Sequence, residues 1–433
     1  MDTNRWSFAL LMAVGTTLIG GNSQFAEATT LCVNPGKSDC FPTIGKAVAA
    51  ASAGDTIQVA PGTYVEGDIV IGIPLSLIGA NSANTIINAA GKGNGIYVDG
   101  LDHPGLSEVV VTGLTVQNAK FEGILVTNAS SVTISDNRVV SNDLALIPTP
   151  PPATCPGQPP FETNEEFDCG EGIHLSGVYH SAVINNLSEN NSGGILLSDD
   201  TGATHDNLIA GNVVQGNPFD CGITLASHLL YSMLPATTPR GVDHNTISEN
   251  NSSGNGLGVP GAGAGVGLFI SGGGLATSGN VVIGNRLTGN GLPGVAMHQH
   301  VPHNPSQNLN DNLIVGNYIA GNAGDGDVPT TVPTGISLLG TSAVNRTVIT
   351  LNEFARESIN IAINNAGGLV DVHLNSLNGS SSDTGIANSG AGVVNAVQNW
   401  WGCAKGPGSS GCTSVSGSNV VSTPFLTSPP AAN

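Results

Sequence analysis

Three of the ten histidines lie in the run His298-Gln-His300-Val-Pro-His303. Side chains two positions apart on a strand point to the same side, so His298 and His300 can bind one metal ion together. His303, from the loop that follows, is then a third ligand, and imidazole nitrogens suit zinc and copper. The run predicts a His-bound transition metal, although three solvated turn histidines would have the same spacing.

A second group of residues has the side chains that glycosidic hydrolysis needs. That reaction uses two carboxyl groups about 5–9 Å apart, one of which donates a proton. Asp200 can pair with Asp168 or Glu171, and His228 is an alternative proton carrier. Together with two histidines of the first group, the candidate catalytic residues are Asp168, Glu171, Asp200, His228, His298 and His300.

The shortage of basic residues limits this chemistry. A lyase needs a basic residue beside a uronate, and Arg240 is the one lysine or arginine that lies near the group in the sequence. Hydrolysis or plain binding is therefore favoured over β-elimination.

Asp199 and Asp200, with Asp206, could hold calcium through oxygen ligands. A solvated loop is the alternative, because no motif of fixed ligand spacing accompanies them.

The elements that position these residues follow from a repeated pair of asparagines five residues apart. The copies are Asn137/Asn142, Asn186/Asn191, Asn212/Asn217, Asn250/Asn255, Asn285/Asn290 and Asn317/Asn322, with degenerate copies at Gly113/Asn118, Asn352/Glu357 and Asn375/Ser380. The shortest spacings are 23–26 residues, which is typical of stacked repeats. Asparagine suits such turns because it tolerates left-handed backbone angles and can bond its amide to the next copy. Glu357 is expected to pair with Arg356 at the surface.

Most asparagine pairs precede a glycine followed by alternating apolar residues, as in Gly172-Ile-His-Leu-Ser176. This alternation predicts short strands with one buried face. No segment between copies is long and periodic enough for a crossover helix, so each strand must stack on its equivalent one coil later. The sequence therefore predicts an all-β parallel β-helix of about ten coils.

Aligning the strand glycines places the outward side chains in columns. In this alignment Phe269 shares a column with Thr224. One face then gathers the side chains of His174, Asp199, Asp200, His228, His298 and His300. Insertions at 143–171, 229–242 and 301–309 leave the coil beside this face, and loops over a strand face predict a groove.

Composition and the first residues indicate where the protein works. The formal charge of −20, with only 11 lysines and arginines, argues against nucleic-acid binding. Residues 1–28 have the pattern of a signal peptide, and their apolar run is too short to span a membrane. We expect a secreted or periplasmic monomer without a membrane span.

Seven cysteines in an exported chain predict disulfides. Proximity in sequence pairs Cys32 with Cys40, Cys155 with Cys169, and Cys403 with Cys412. Cys221 is left over, and we interpret it as an inert core thiol rather than a nucleophile.

We predict one β-helix domain at 29–412. Its N-terminal cap, 29–55, contains a short helix that Thr43 caps and that covers the open end of the first coil. Its C-terminal cap is 399–412, and residues 413–433 are expected to form a flexible tail.

Two parts of the chain resemble a known family. The opening of pectin-lyase-fold proteins is resembled by three segments: Thr43-Ile-Gly-Lys-Ala-Val-Ala, Gly54-Asp-Thr-Ile-Gln-Val-Ala-Pro-Gly-Thr-Tyr and Pro74-Leu-Ser-Leu-Ile-Gly79. The tail motif of that bacterial secreted group is similar to Asn399-Trp-Trp-Gly-Cys-Ala-Lys-Gly-Pro-Gly. The resemblance implies a right-handed single-stranded β-helix. The family includes lyases, esterases, hydrolases, epimerases, metal-handling proteins and surface proteins, so the fold does not settle the function. The catalytic signatures of its lyases, esterases and epimerases are not visible here.

Three functions are compatible with these observations. The first is a non-catalytic β-helix that binds an extended polysaccharide or cell-envelope glycan, or has a structural role there; the missing signatures favour it. The second is a carbohydrate-active hydrolase, lyase or epimerase that uses the His/Asp face. The third is a periplasmic metal-handling protein, for which the histidine run is the support.

Overall fold

The computed structural model describes residues 28–149, 152–162, 167–301, 304–328 and 331–430. Residues 1–27 of the expected signal peptide and the metal-ligand candidate His303 lie outside the described residues. No helix in the described part of the chain is long and apolar enough to cross a membrane.

Three parallel sheets, which we call A, B and C, and the short helix α1 (Ile44–Ala50) form the fold. Sheet A contains β1 (Thr30–Val33), β2 (Thr56–Val59), β5 (Ser76–Gly79), β8 (Val110–Thr112), β11 (Thr133–Ser135), β14 (Ala182–Ile184), β18 (Leu208–Ala210), β22 (Thr246–Ser248), β25 (Val281–Ile283), β28 (Leu313–Val315), β31 (Thr347–Thr350), β34 (Leu369–His373), β36 (Val393–Asn395) and β38 (Val420–Val421). Sheet B contains β3 (Gly62–Val65), β6 (Thr85–Asn88), β9 (Thr115–Gln117), β12 (Arg138–Val140), β15 (Leu187–Glu189), β19 (Val213–Gln215), β23 (Asn251–Ser253), β26 (Arg286–Thr288), β29 (Tyr318–Ala320) and β32 (Glu353–Ala355). Sheet C contains β4 (Ile69–Ile71), β7 (Ile96–Asp99), β10 (Ile124–Thr127), β13 (Ile173–Ser176), β16 (Ile195–Ser198), β20 (Ile223–Ser227), β24 (Val266–Ile270), β27 (Val295–Gln299), β30 (Thr334–Gly340), β33 (Ile359–Asn365), β35 (Thr384–Asn388) and β37 (Ser414–Gly417). A small parallel pair joins β17 (Thr204–His205) to β21 (Val242–Asp243).

Each coil runs through a strand of sheet A, then one of sheet B, then one of sheet C. Equivalent strands pair in register, so that Ile124 pairs with Ile173, and Ile195 pairs with both Ile173 and Ile223. Each of the ten strands of sheet B lies between a strand of A and a strand of C, which gives ten complete coils in the described residues. The fold is a right-handed parallel β-helix, as the sequence predicts.

The interior consists of stacked aliphatic side chains. Alternate residues of each strand point inward, and those of β13, Ile173 and Leu175, are fully buried. Removing this apolar surface from water is the main stabilising contribution, about 25 cal/mol per Å². A thin coil needs many corners, and their backbone groups must be paired as well.

The paired asparagines form two hydrogen-bonded ladders at these corners, one between sheets A and B and one between sheets B and C. In the first ladder, the backbone N–H and the side-chain amide of Asn212 both donate to Oδ1 of Asn250, at 2.9 and 3.0 Å. Asn250 donates in the same way to Asn285. Each amide therefore satisfies backbone groups and links its coil to the next one.

The backbone angles at these corners differ from the expectation. The residue before each ladder asparagine adopts the left-handed conformation, as at Asp136 (φ 55°) and Gly211 (φ 64°). Asn137 and Asn212 are not among the residues with positive φ. Asparagine is therefore needed here for its side-chain hydrogen bonds, while its neighbour makes the turn.

A third ladder lies between sheets C and A, and the sequence analysis missed it. Asn207, Asn245, Asn280 and Asn312 each bond to the next, at 2.9–3.1 Å for the backbone donors. These asparagines precede the sheet A strands by one residue and lie five residues before Asn212, Asn250, Asn285 and Asn317. The repeat is therefore a run of three asparagines at a spacing of five, of which the sequence analysis recognised only the last two. All three corners of the central coils are thus closed by the same device.

Two expectations about single positions were wrong. Glu357 is 3% exposed and ends the second ladder by accepting hydrogen bonds from Asn322, so it is not in a surface ion pair. Phe269 pairs with Ala226, and Gly267 pairs with Thr224. The strand glycine of that coil is Gly265, two residues before Gly267, the glycine used in the alignment. The correction leaves the side chain of Phe269 pointing outward but moves it along the groove.

The two ends of the helix are closed differently. At the N-terminus, Thr43 caps α1 by accepting a hydrogen bond from Lys46 N, and Glu66 accepts from the backbone N–H groups of Ile44 and Gly45. At the C-terminus, β37 and β38 add strands to sheets C and A beyond residue 412. The expected domain end at 412 is therefore too early, since residues 414–421 continue the β-helix.

The structure contains three disulfides, which join Cys32 to Cys40, Cys155 to Cys169, and Cys403 to Cys412. These are the pairs predicted from proximity. Cys221 is a buried free thiol whose Sγ accepts a hydrogen bond from Ala264 N at 3.1 Å.

Candidate active site in a groove on sheet C

A groove of about 320 Å³ runs across the outer face of sheet C. Its floor includes Thr224, Ala226, Phe269 and His298 from the central strands. Its first wall is made by the loops that connect sheet B to sheet C: Phe167, Asp168, Phe219, Asp220, Gly261–Gly263, Leu292 and Asp325–Asp327. On the other side, the loops after the sheet C strands line a second cleft with Leu229–Ser232 and Ser271–Gly273.

Three carboxyl groups meet beside the groove. Ligand oxygens of Asp168, Glu171 and Asp220 lie within 4.8 Å of one another, and we call these residues the carboxylate trio. Asp168 and Asp220 line the groove, whereas Glu171 lies behind them and is 1% exposed. Burial, followed by the charges of Asp168 and Glu122, raises the pKa of Glu171 well above its ordinary value. Burial and these charges therefore favour the protonated form of Glu171.

His228 connects the trio to a buried aspartate. Its Nε2 lies 3.2 Å from Asp168 Oδ2, and its Nδ1 lies 3.4 Å from Asp200. His228 and Asp200 are 0% and 2% exposed. The imidazole is held between two carboxyl groups, one at the groove and one beneath it.

Asp199 fixes the backbone that carries His228. Its carboxylate accepts hydrogen bonds from His228 N at 2.6 Å, Gly241 N at 2.8 Å and Ser227 Oγ at 2.9 Å. Arg240 donates to the carbonyl oxygens of His228 and Gly273. These contacts hold the carboxylate of Asp199 and Nη2 of Arg240 within the loop, so both residues are structural.

A second acidic pair lies next to the trio. Ligand atoms of Glu122, Glu162 and His174 lie within 4.8 Å of one another, and all three side chains are buried. Burial raises the pKa of Glu122 to about 7, and burial with the charge of Glu122 raises the pKa of Glu162 well above its ordinary value. Burial also lowers the pKa of His174 to about 4, so this histidine is neutral at pH 7.

Two histidines of the run lie further along the groove. His298 Nε2 is 2.7 Å from Asp325 Oδ2, and its Nδ1 is 3.8 Å from Asp327 Oδ2. Burial acts to raise the pKa of Asp325, but the hydrogen bond and charge of His298 outweigh it, and the pKa is lowered overall. His300 stacks on Phe269, with ring centroids 5.4 Å apart.

Residues 77–308 match the protein family described as right handed beta helix region. The chain belongs to this right-handed β-helix family. No curated protein matches the sequence.

Several solved β-helix structures are similar to this chain. The catalytic domain of a GH87 α-1,3-glucanase in complex with tetrasaccharides has a TM-score of 0.56 and 13% identity, over 94% of this chain and 70% of that one. The mannuronan C-5 epimerase AlgE6 A-module of Azotobacter vinelandii has a TM-score of 0.48 and 14% identity, over 89% and 93%. Pectate lyase Pel9A has a TM-score of 0.43 and 16% identity, over 94% and 81%. At 13% identity, the likeness to the glucanase domain shows the fold alone.

The sequence-predicted residues of this β-helix separate into two clusters. The structure brings Asp168, Glu171, Asp200 and His228 together with His174, and it places His298 and His300 beside Asp325 and Asp327. The proposed calcium group is not assembled, since Asp206 lies at an exposed corner 2.8 Å from His205 while the carboxylate of Asp199 binds backbone groups.

Five acidic site residues were missed: Glu122, Glu162, Asp220, Asp325 and Asp327. A signal existed for two of them. Glu122 and Asp220 come directly or almost directly before a strand glycine, in Glu122-Gly-Ile and Asp220-Cys-Gly-Ile, as Glu171 does in Glu171-Gly-Ile. Glu162, Asp325 and Asp327 lie in insertions that share no pattern with other coils.

Replacing Glu122 by glutamine tests the buried acid pair. In the native fold the pKa of Glu122 is raised to about 7 from 4.5, so the folded state binds more protons than the unfolded state between these values. Folding stability contributed by this group therefore falls as pH rises from 4.5 to about 7. We expect the stability of E122Q relative to wild type to increase between pH 5 and pH 8, measured by urea unfolding. E249Q, at an exposed glutamate, is the control, and a difference between E122Q and wild type that is constant with pH would contradict the raised pKa.

Proposed function

We propose that this protein is a secreted or periplasmic polysaccharide hydrolase, with the scissile bond in the groove on sheet C. The carboxylate trio carries the proposal, because its oxygens lie within 4.8 Å of one another and two of its members line the groove. The raised pKa of Glu171 favours a protonated carboxyl within the trio. The trio thus offers an acid and a base at the same time, which glycosidic hydrolysis requires.

The two groove-facing members take different roles. Asp168, in its protonated form, donates a proton to the glycosidic oxygen of the leaving sugar. Asp220, the more exposed carboxylate, bonds to the anomeric carbon as the glycosidic bond breaks, since carboxyl groups this close fit the retaining mechanism and leave no room for a water molecule between them. Asp168 then takes a proton from the water whose oxygen replaces Asp220 on the anomeric carbon. His228 holds Asp168 in place, and the proton that Asp168 takes from water restores its acid form for the next turnover.

The polarity of the groove favours a neutral glycan. Its described lining contains the four aspartates Asp168, Asp220, Asp325 and Asp327, and none of those lining residues is a lysine or arginine. A uronate chain would be repelled by this lining. Phe167 and Phe219, whose rings stack with centroids 6.1 Å apart, offer an apolar surface for the face of a sugar ring.

Hydrolysis also fits better than β-elimination. Arg240, the expected candidate for a lyase base, is engaged by two backbone carbonyls and lies 3.9 Å from Asp199. Its Nη2 is held by these carbonyls, and Arg240 is not among the residues that line the groove.

Plain glycan binding, which the sequence favoured, explains the groove and the aromatic rings but not the trio. Neither carboxyl oxygen of Glu171 has a hydrogen-bond partner in the structure. Burying such a group costs about 1–3 kcal/mol. Ionisable groups held at this cost with perturbed pKa values are typical of catalytic sites.

The test is product release from a panel of neutral and uronate polysaccharides by the full secreted chain. The α-1,3-glucanase of similar fold makes an α-glucan a suitable first member of the neutral set. We expect new reducing ends from at least one neutral glycan and none from uronate chains. Binding without product would return the protein to the non-catalytic class, and an unsaturated product from a uronate chain would identify a lyase.

A further inference from the structure

We infer that His298, His300 and Asp327 form a binding site for a first-row transition-metal dication in the groove. One nitrogen from each histidine and one oxygen of Asp327 lie within 4.8 Å of one another. The site differs from the one that the sequence predicts, because its third ligand is an aspartate from the loop between β29 and β30. It does not depend on the proposed hydrolysis, since its chemistry belongs to a separate cluster.

The neighbours of His298 provide an independent reason for this assignment. Asp325 Oδ2 lies 2.7 Å from His298 Nε2 and also accepts a hydrogen bond from Ser337 Oγ at 2.6 Å, while Asp325 Oδ1 accepts from Asp327 N at 3.0 Å. The carboxylate of Asp325 accepts a hydrogen bond from the N–H at Nε2 of His298, so the lone pair of this imidazole is on Nδ1. A carboxylate behind a histidine in this way is the usual second partner of a metal-binding imidazole.

The separation of the ligand atoms fits a metal better than a direct contact. His298 Nδ1 and Asp327 Oδ2 are 3.8 Å apart, which is too long for a hydrogen bond. Two zinc ligands, each about 2.0–2.2 Å from the ion, are separated by about 3–4 Å. Two imidazoles and one carboxylate are a ligand set for zinc and its neighbours in the first row rather than for calcium.

The surroundings hold the second histidine in place. Phe269 stacks on His300 and also contacts His298, with ring centroids 5.5 Å apart. His298, His300 and Asp327 all line the groove. Three protein ligands with a coordination position open to the groove are typical of sites that bind a water molecule or a ligand on the metal.

The experiment uses chelator-treated full chain titrated with zinc alone, followed by calorimetry and a competing chromophoric chelator. We expect one equivalent of zinc to bind to wild type. H300A and D327N should each weaken binding by at least tenfold, and D325N by about 10–100-fold, because it removes only the group that orients His298. Cobalt substitution should give a visible absorption band that H300A changes.

The control variant is H244A. It removes an exposed histidine that lies 2.7 Å from an aspartate, Asp243, as His298 lies 2.7 Å from Asp325. It should bind zinc as wild type does. Circular dichroism and thermal unfolding verify that each variant is folded. Zinc binding that is absent in wild type, unchanged in H300A and D327N, or weakened equally in H244A would overturn the site. Glycan hydrolysis is measured separately, so its loss or survival does not decide this result.

Discussion

Replacing Asp168 by asparagine is expected to lower kcat/KM for a neutral glycan by about 10³-fold. Asp168 lines the groove, and its Oδ2 lies 3.2 Å from His228 Nε2. Loss of a positioned general acid or base costs about 10²–10⁴-fold in rate. The rate of reducing-end formation measures the effect, and D220N should show a loss of similar size because it removes the other groove-facing carboxylate.

Two comparisons separate this catalytic effect from misfolding. D168N removes a carboxylate from a crowded acidic cluster, so its thermal stability should equal or exceed that of wild type. D136N changes an exposed aspartate at a corner between sheets A and B, far from sheet C in the coil. It should leave the rate unchanged. Full activity in both D168N and D220N would remove the trio from the mechanism.

Replacing Asn250 by leucine is expected to destabilise the fold by about 3–5 kcal/mol. Asn250 accepts hydrogen bonds from the backbone N–H and the amide of Asn212, and its own amide donates to Ile209 O and Asn285 Oδ1. Leucine leaves these buried groups without partners, and each costs about 1–3 kcal/mol. Urea unfolding followed by circular dichroism measures the loss.

The matched control is alanine at the next position, Asn251. That side chain is partly exposed, and its Oδ1 has no hydrogen-bond partner in the structure. N251A should therefore change the free energy of unfolding by less than about 1 kcal/mol. Equal losses in N250L and N251A would show that the ladder contributes no more than any surface asparagine.

The ladders explain why so much of the fold follows from the sequence. Asn212, Asn250 and Asn285 occupy the same corner in successive coils, so the contact that stabilises the fold is also the signal that repeats along the chain. Each coil packs against coils with equivalent residues at equivalent positions. The residue types that a coil needs at its corners therefore recur along the chain with the period of the repeat. The third ladder, through Asn207 and Asn245, follows the same logic, because each of its asparagines lies five residues before a member of the first ladder and so has the same spacing in the sequence.

The catalytic candidates followed from the sequence in part. Strand register placed Asp200, His228 and His298 on one face because outward positions on stacked strands form columns. The error at Phe269 shows the weakness of that argument: a glycine two positions later gave an equally good alignment, and only the pairing of Val266 with Ile223 decides between them.

The sequence by itself determined the parallel β-helix, its three disulfides and the face that carries the histidines, because each depends on neighbours in the chain or on the repeat. The right-handedness of the helix was implied by the resemblance to pectin-lyase-fold proteins. Tertiary structure alone decided that Asp220 joins Asp168 and Glu171, and that Asp325 and Asp327 contact His298. These acids lie in loops outside the coil, where no period constrains them. Their positions depend on how loops from different coils pack over sheet C, and the same packing buries Glu171 and raises its pKa.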